Sequence, residues 1–86
     1  MIATGEIDAA SAGQLDAALT SVLVARRAIS LDLQAVSFID SSALRVLMEA
    51  RSTAADAGLS FGIVAASPQV VRVLTMTGLD GLLSGV

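Results

Sequence analysis

Three consecutive polar residues interrupt an otherwise apolar part of the sequence: Asp40, Ser41 and Ser42. A serine hydroxyl at the start of a helix can accept a phosphoryl group, because the free N–H groups and the helix dipole there favour an anion. Phosphorylation adds about −1.5 to −2 charges and would change any surface that a partner covers. The plainer interpretation is a helix cap, in which a side-chain oxygen accepts a hydrogen bond from an N–H of the first turn. The motif alone leaves both interpretations open.

The composition removes most other chemistries. The chain has no Cys and no His, so it lacks thiol nucleophiles, imidazole bases and the usual zinc ligands. Only carboxylates remain as candidate bases for Ser41, and the sequence places none of them in the arrangement of base and orienting group that a nucleophilic serine needs. No Gly-x-x-x-x-Gly-Lys phosphate loop is present. With a net charge of −3, the chain shows no sign of a basic surface that would bind the phosphate backbone of a nucleic acid. The sequence predicts a protein that is not an enzyme, holds no cofactor or metal, and binds no nucleic acid directly.

The length and the charge spacing indicate a small domain that does not enter membranes. The 86 residues, 55% of them hydrophobic, suffice for one core, so we expect a single domain over residues 1–86. Arginines and acids interrupt every apolar run well before the ~18 residues that a membrane span needs. The N-terminal residues lack the basic start and apolar core of a secretory signal. We therefore expect a cytoplasmic protein.

Hydrophobic periodicity predicts the elements that precede the polar triplet. Ser11 with Gln14 three residues later fits a capping box, and the apolar spacing that follows predicts a helix over about 12–25, with Arg26 and Arg27 near its last turn. From Ile29 onward, apolar and polar residues alternate, which is typical of a strand with one covered face. We therefore expect helices on one side of the sheet only.

The same patterns continue beyond the triplet. A second helix is predicted to start at Ser41 or Ser42 and to end before Gly58, which suits a C-terminal cap. A strand near 59–65 and a helix near 68–77 follow, the latter ending at Gly78 and Leu79. Connections this short allow only parallel strands joined by crossover helices, which predicts an α/β fold.

Three segments, taken with their spacing, resemble the STAS domain family and specifically the bacterial anti-sigma factor antagonists: TGEID (4–8), LDLQAVSFIDSSAL (31–44) and AGLSFGIVAASPQVVRVLTMTGL (57–79). The resemblance covers nearly the whole chain and implies a mixed, mostly parallel sheet with helices on one face. It also implies that the family's N-terminal hairpin and C-terminal helix are truncated here. The last residues, 80–86, are expected to form a tail with at most one helical turn.

The resemblance implies a partner-switching cycle. The unphosphorylated antagonist would bind an anti-sigma factor that is also a serine kinase and so release the sigma factor. Phosphorylation of Ser41 would end the complex, and a serine phosphatase would restore it. By position in the motifs, the residues implied in partner binding are Asp8, Asp40, Ser42 and Leu44. The chain departs from the family pattern at Ala43, where members usually have Gly.

Two further hypotheses accompany this one. The chain could instead be a STAS subunit of a lipid-transport ABC complex or of a stress-signalling scaffold, binding constitutively while Ser41 merely caps a helix. A truncated hairpin would also leave a strand edge unpaired, and such an edge is a template for pairing with another chain. We therefore hypothesise a homodimer through an exposed sheet edge.

Overall fold

The computed structural model describes residues 1–83, in which strands and helices alternate along the chain. The strands β1 to β3 span Ile2–Ile7, Ile29–Ile39 and Phe61–Ala66, and the helices α1 to α3 span Ala9–Val24, Ser41–Asp56 and Pro68–Met76. A 3-10 turn follows at Asp80–Leu82, as expected for the tail, whose last residues 84–86 lie outside the described part. Across residues 1–83, no helix combines the length and the apolar character needed to cross a bilayer.

The strands form one sheet in the order β1-β2-β3, and every pairing among them is parallel. This confirms the α/β fold, and the sheet formed by residues 1–83 is parallel throughout, whereas the resemblance implied a mixed, mostly parallel one. The register of β1 on β2 shifts between Gly5 and Glu6, and Gly5 has a φ of 80°. A glycine adopts this conformation without steric cost, and its presence bends the strand just before the chain enters α1.

The helices cover one face of the sheet. Right-handed crossovers between neighbouring strands put α1 and α2 on the same side. The alternation predicted in β2 is observed, since Leu31 and Leu33 are fully buried whereas Ser30 is exposed. Buried leucines of all three helices join this face in one hydrophobic core: Leu19, Leu47 and Leu74. Within residues 1–83 no helix covers the opposite face, as predicted for a sheet with helices on one side.

The first helix begins three residues earlier than predicted, and its cap is Asp8 rather than Ser11. The Asp8 carboxylate accepts hydrogen bonds from the backbone N–H groups of Ala10 at 3.0 Å and Ser11 at 3.1 Å. A reciprocal hydrogen bond runs from the N–H of Asp8 to the Oγ of Ser11, at 3.0 Å. Ser11 thus completes a capping box from the third helical position instead of opening the helix. The physical reason is that β1 ends at Ile7, which makes Asp8 the first residue free to face the N–H groups.

All three helices end in the same way. The residue after the C-cap has positive φ in each case: Arg26 at 57°, Gly58 at 71° and Gly78 at 75°. The N–H one residue further on bonds to the carbonyl five residues back, at 2.7 to 3.2 Å, which is a Schellman motif. The predicted endings at Gly58 and Gly78 are confirmed. Arg26 and Arg27, expected near the last turn of α1, lie beyond the helix, with Arg26 in the position that glycine usually takes.

Candidate functional site

The carboxyl ends of the strands meet at one edge of the sheet, where a single cap residue joins each strand to its helix: Asp8, Asp40 and Ser67. The N–H of Asp40 donates to the carbonyl of Ile7 at 3.1 Å, which ties the first two junctions together. Asp8 and Asp40, far apart in the sequence, therefore lie at neighbouring helix N-termini. The carboxyl edge of an open parallel sheet is where such folds usually bind their ligands and partners.

The polar triplet divides its roles by helix position. Asp40 is the N-cap of α2, with extended backbone, and its carboxylate accepts from the N–H of Ala43 at 3.1 Å. Ser41 and Ser42 are the first two helical residues. Ser41 is exposed, and in the described part of the chain the capping bond is made by Asp40 and not by the Ser41 hydroxyl. That hydroxyl is consequently available to a reagent from outside.

The other residues of the motif, Ser42, Ala43 and Leu44, are buried to different degrees. Ser42 is half-buried, Leu44 is 8% exposed and Ala43 is fully buried. Leu44 belongs to the hydrophobic core, so its side chain offers a partner little surface and mainly anchors the first turn. Ala43 supplies the backbone N–H that the Asp40 carboxylate caps.

Hydrogen bonding fixes the charge of Asp8. The backbone N–H of Ser11, followed by the Ser11 hydroxyl, holds the pKa of the Asp8 carboxyl below its ordinary value, because both stabilise the ionised form. Burial of the carboxyl acts in the opposite direction but more weakly than the bond from the Ser11 N–H. Asp8 is therefore a carboxylate at neutral pH, held in a defined orientation beside the Asp40–Ser41 junction.

The third junction differs from the first two because Ser67 is buried. Its hydroxyl donates to the carbonyl of Val36 at 2.6 Å and accepts from the N–H of Val70 at 3.2 Å. Ser67 therefore fixes α3 to β2 and is closed to a partner. The accessible chemistry of the edge lies at the first two junctions.

A groove between α1 and α2 adds charged residues that motif reasoning missed. It has a volume of about 260 Å³, passes Ser42, and includes three charged side chains in its lining: Asp16, Arg45 and Glu49. A second groove of about 300 Å³ shares Asp16 and Glu49 and follows the same two helices. The spacing of four residues between Ser41 and Arg45 is the sequence signal that could have identified Arg45.

The fold and this carboxyl edge define a STAS domain. The model of the family described as STAS domain matches residues 2–84, so the chain belongs to that family. Comparison with curated protein sequences yields no match.

Two solved structures, both of anti-sigma factor antagonists, have the same architecture as this chain. One is an anti-sigma factor antagonist from Mycobacterium paratuberculosis, 32% identical, with a TM-score of 0.80 over 95% of this chain and 70% of that one. The other is the anti-sigma factor antagonist SpoIIAA in its unphosphorylated form, 22% identical, with a TM-score of 0.82 over 96% of this chain and 74% of that one. The first is similar in sequence and structure, and the second shows the fold alone.

Proposed function

We propose that this protein is an anti-sigma factor antagonist controlled by phosphorylation of Ser41. In the unphosphorylated state it binds an anti-sigma factor, and the sigma factor is released. The partner is also the serine kinase that ends the complex, and a serine phosphatase restores it. Support comes from the family membership and from the similarity to the Mycobacterium paratuberculosis antagonist. The protein is the substrate of the kinase and a ligand of the anti-sigma factor, not a catalyst.

The observation that carries the proposal is the capping of α2 by Asp40. Because Asp40 bonds the Ala43 N–H, the Ser41 hydroxyl is not needed as a cap and stays exposed at the first helical position. In the transfer, Ser41 Oγ attacks the terminal phosphorus of a nucleoside triphosphate held by the kinase. The new O–P bond forms as the bond to the nucleoside diphosphate breaks, and a base of the kinase takes the hydroxyl proton.

The charges around Ser41 explain why phosphorylation would end the complex. The two junctions already hold the carboxylates of Asp8 and Asp40, and Glu6 is exposed on the neighbouring strand. A phosphoryl group adds about −1.5 to −2 charges to this surface. An interface that accommodates the carboxylates must then desolvate a further anion beside them. A cost of about 3 kcal/mol would weaken binding roughly a hundredfold.

The test is capture of partners with tagged Ser41→Ala, Ser41→Asp and wild-type protein, followed by calorimetric titration of the purified partner. Ser52→Asp is the matched control, since Ser52 is also an exposed serine of α2 but lies away from the junctions. We expect a kinase-like anti-sigma factor to bind wild type, Ser41→Ala and Ser52→Asp, and Ser41→Asp to bind it at least tenfold more weakly.

The contrary outcome favours the alternative. If every variant captures the same transporter or scaffold subunits with equal affinity, the protein is a constitutive STAS subunit and Ser41 carries no switch. Where a kinase is captured, as we expect, its incubation with Ser41→Ala and Ser42→Ala identifies the acceptor. We expect phosphate incorporation to be lost in Ser41→Ala and retained in Ser42→Ala.

A further inference from the structure

We propose that Arg45 is the intramolecular partner of the phosphoryl group on Ser41 and holds it against the first turn of α2. This inference rests on the proposed phosphorylation of Ser41 and concerns the regulation of that site. Both residues are exposed and belong to the same helix, four positions apart. Side chains at this spacing share one face of a helix, with Cβ atoms about 5–6 Å apart.

The direction of the helix favours this pair. Side chains in an α-helix tilt towards its N-terminus, so the Arg45 side chain leans back over the turn that contains Ser41. An acid that precedes a base by four residues is the better orientation, because each charge then also complements the helix dipole. Phosphoserine at 41 and arginine at 45 have this order, and the phosphoryl group in the first turn of α2 also complements the helix dipole.

The other anions near Arg45 are weaker competitors. Glu49 follows Arg45 by four residues, which is the less favourable order for an ion pair. Asp16 lies on α1, across the groove that it lines together with Arg45. Asp40 already accepts the hydrogen bond of the Ala43 N–H. A phosphate dianion carries more charge than any of these carboxylates, and a guanidinium can bind it through two parallel hydrogen bonds.

The pair of phosphorylated Ser41 and Arg45 would determine where the phosphoryl group lies on the surface. The carboxylates of Asp8 and Asp40 repel a phosphoryl group at this edge, whereas Arg45 attracts it from the helix side. The phosphoryl group would therefore be held on α2, at a fixed place in the surface, instead of extending into solvent. Its second ionisation would also become easier, because the nearby cation stabilises the dianion.

The experiment uses the full chain with phosphoserine installed at position 41 during translation, so that no kinase is needed. The midpoint of the second phosphate ionisation is read from the ³¹P chemical shift between pH 4.5 and 8. In Arg45→Gln we expect this midpoint to rise by roughly 0.2–0.4 pH unit. Arg45→Lys keeps the cation and is expected to restore most of the difference.

The matched control is Arg51→Gln, which removes an exposed arginine of the same helix at a distance of about 15 Å along its axis from Ser41. We expect its midpoint to equal that of the parent phosphoprotein. Equal midpoints in Arg45→Gln and in the parent, or equal rises in Arg45→Gln and Arg51→Gln, would overturn the inference.

Failure of the proposed function has a different signature. In that case the Arg45-dependent titration shift would still be seen in the installed phosphoprotein, while Ser41→Asp would capture its partners as well as wild type.

Discussion

At the scale of single residues, the adjacent side chains of Asp40, Ser41 and Ser42 have different roles, because each residue lies one position further into α2 than the one before it. The N-cap residue Asp40 has an extended backbone, so its carboxylate can turn back towards the N–H of Ala43. Ser41, one position later, is already helical and its side chain leaves the helix outward. The residue best suited to cap is therefore used as a cap, and the hydroxyl beside it is free to react.

This division predicts a difference between two substitutions. Asp40→Ala removes the cap and should lower the free energy of unfolding by about 1 kcal/mol, whereas Ser41→Ala should change it by less than about 0.5 kcal/mol. Urea denaturation of both variants and wild type gives the comparison. A loss in Ser41→Ala as large as that in Asp40→Ala would mean that Ser41 caps the helix after all.

Asp8 should make the stability of the fold depend on pH. Its pKa is lowered in the folded protein, chiefly by the N–H of Ser11, so the ionised form stabilises the fold above about pH 4. This contribution is lost as the pH falls through the lowered pKa. We expect Asp8→Asn to have a lower urea midpoint than wild type at pH 7, and the difference should shrink as the pH is lowered from 7 to 2.5.

The control for this pH dependence is Asp16→Asn, which removes an exposed carboxylate of the same helix without touching the capping box. A pH-dependent difference of the same size in Asp16→Asn would show that the general charge of α1, and not the cap, is responsible.

At the scale of elements, one cap residue separates each strand from the helix that follows it. Such short junctions leave little freedom, so the pairing of β1 with β2 also fixes the positions of Asp8 and Asp40. The site is consequently built on the ends of strands and helices and not on long loops. A partner therefore meets a surface whose charges are already in place.

The helix ends allow a test of backbone conformation. Arg26 has a left-handed backbone conformation with φ 57°, which costs a residue with a Cβ about 1–2 kcal/mol. Glycine avoids this cost but also makes the unfolded chain more flexible, which favours unfolding. We therefore expect Arg26→Gly to raise the free energy of unfolding by roughly 0.5–1 kcal/mol. Gly58→Ala is the inverse test. No heavy atom beyond the two neighbouring residues in the chain lies within 4 Å of the added Cβ, so the expected loss of about 1 kcal/mol is conformational. A lower stability in Arg26→Gly would contradict this account.

At the scale of the whole molecule, the two edge strands of the sheet differ. Within residues 1–83, a single parallel bridge joins Ile63 of β3 to Leu83, whereas β1 has no partner on its outer side. Within residues 1–83, β1 pairs with β2 alone, and Ile2 on this strand is 74% exposed. An exposed edge with an apolar side chain is prone to pair with a second copy. The homodimer hypothesis remains a prediction, and it concerns this edge.

For the 86-residue chain we expect the mass from light scattering to rise with concentration towards that of a dimer. Ile2→Lys places a charge on the edge and should shift the protein to the monomer. Val24→Lys is the matched control, because Val24 is 78% exposed but lies on α1, and it should leave the association unchanged. A monomeric mass of the wild type at all concentrations would make the homodimer hypothesis wrong.

The sequence by itself determined the kinds and order of the elements. The alternation in β2, the Ser67-Pro68 start of α3 and the glycines after α2 and α3 are all signals contained within a few residues, and the structure agrees with each. Such patterns are readable because the local spacing of apolar residues and caps depends little on the rest of the chain.

Tertiary structure decided which of several suitable residues takes each role. Asp8 and Ser11 can both cap a helix, as can Asp40 and Ser41, and the local sequence does not show which residue of each pair will do so. Strand pairing settles the choice, because it fixes the residue at which the chain leaves the sheet and hence the first side chain able to reach the free N–H groups. The same pairing brings the junction at Asp8 beside the junction at Asp40, where the Asp40 N–H donates to the Ile7 carbonyl, and no local pattern contains this contact between distant parts of the chain.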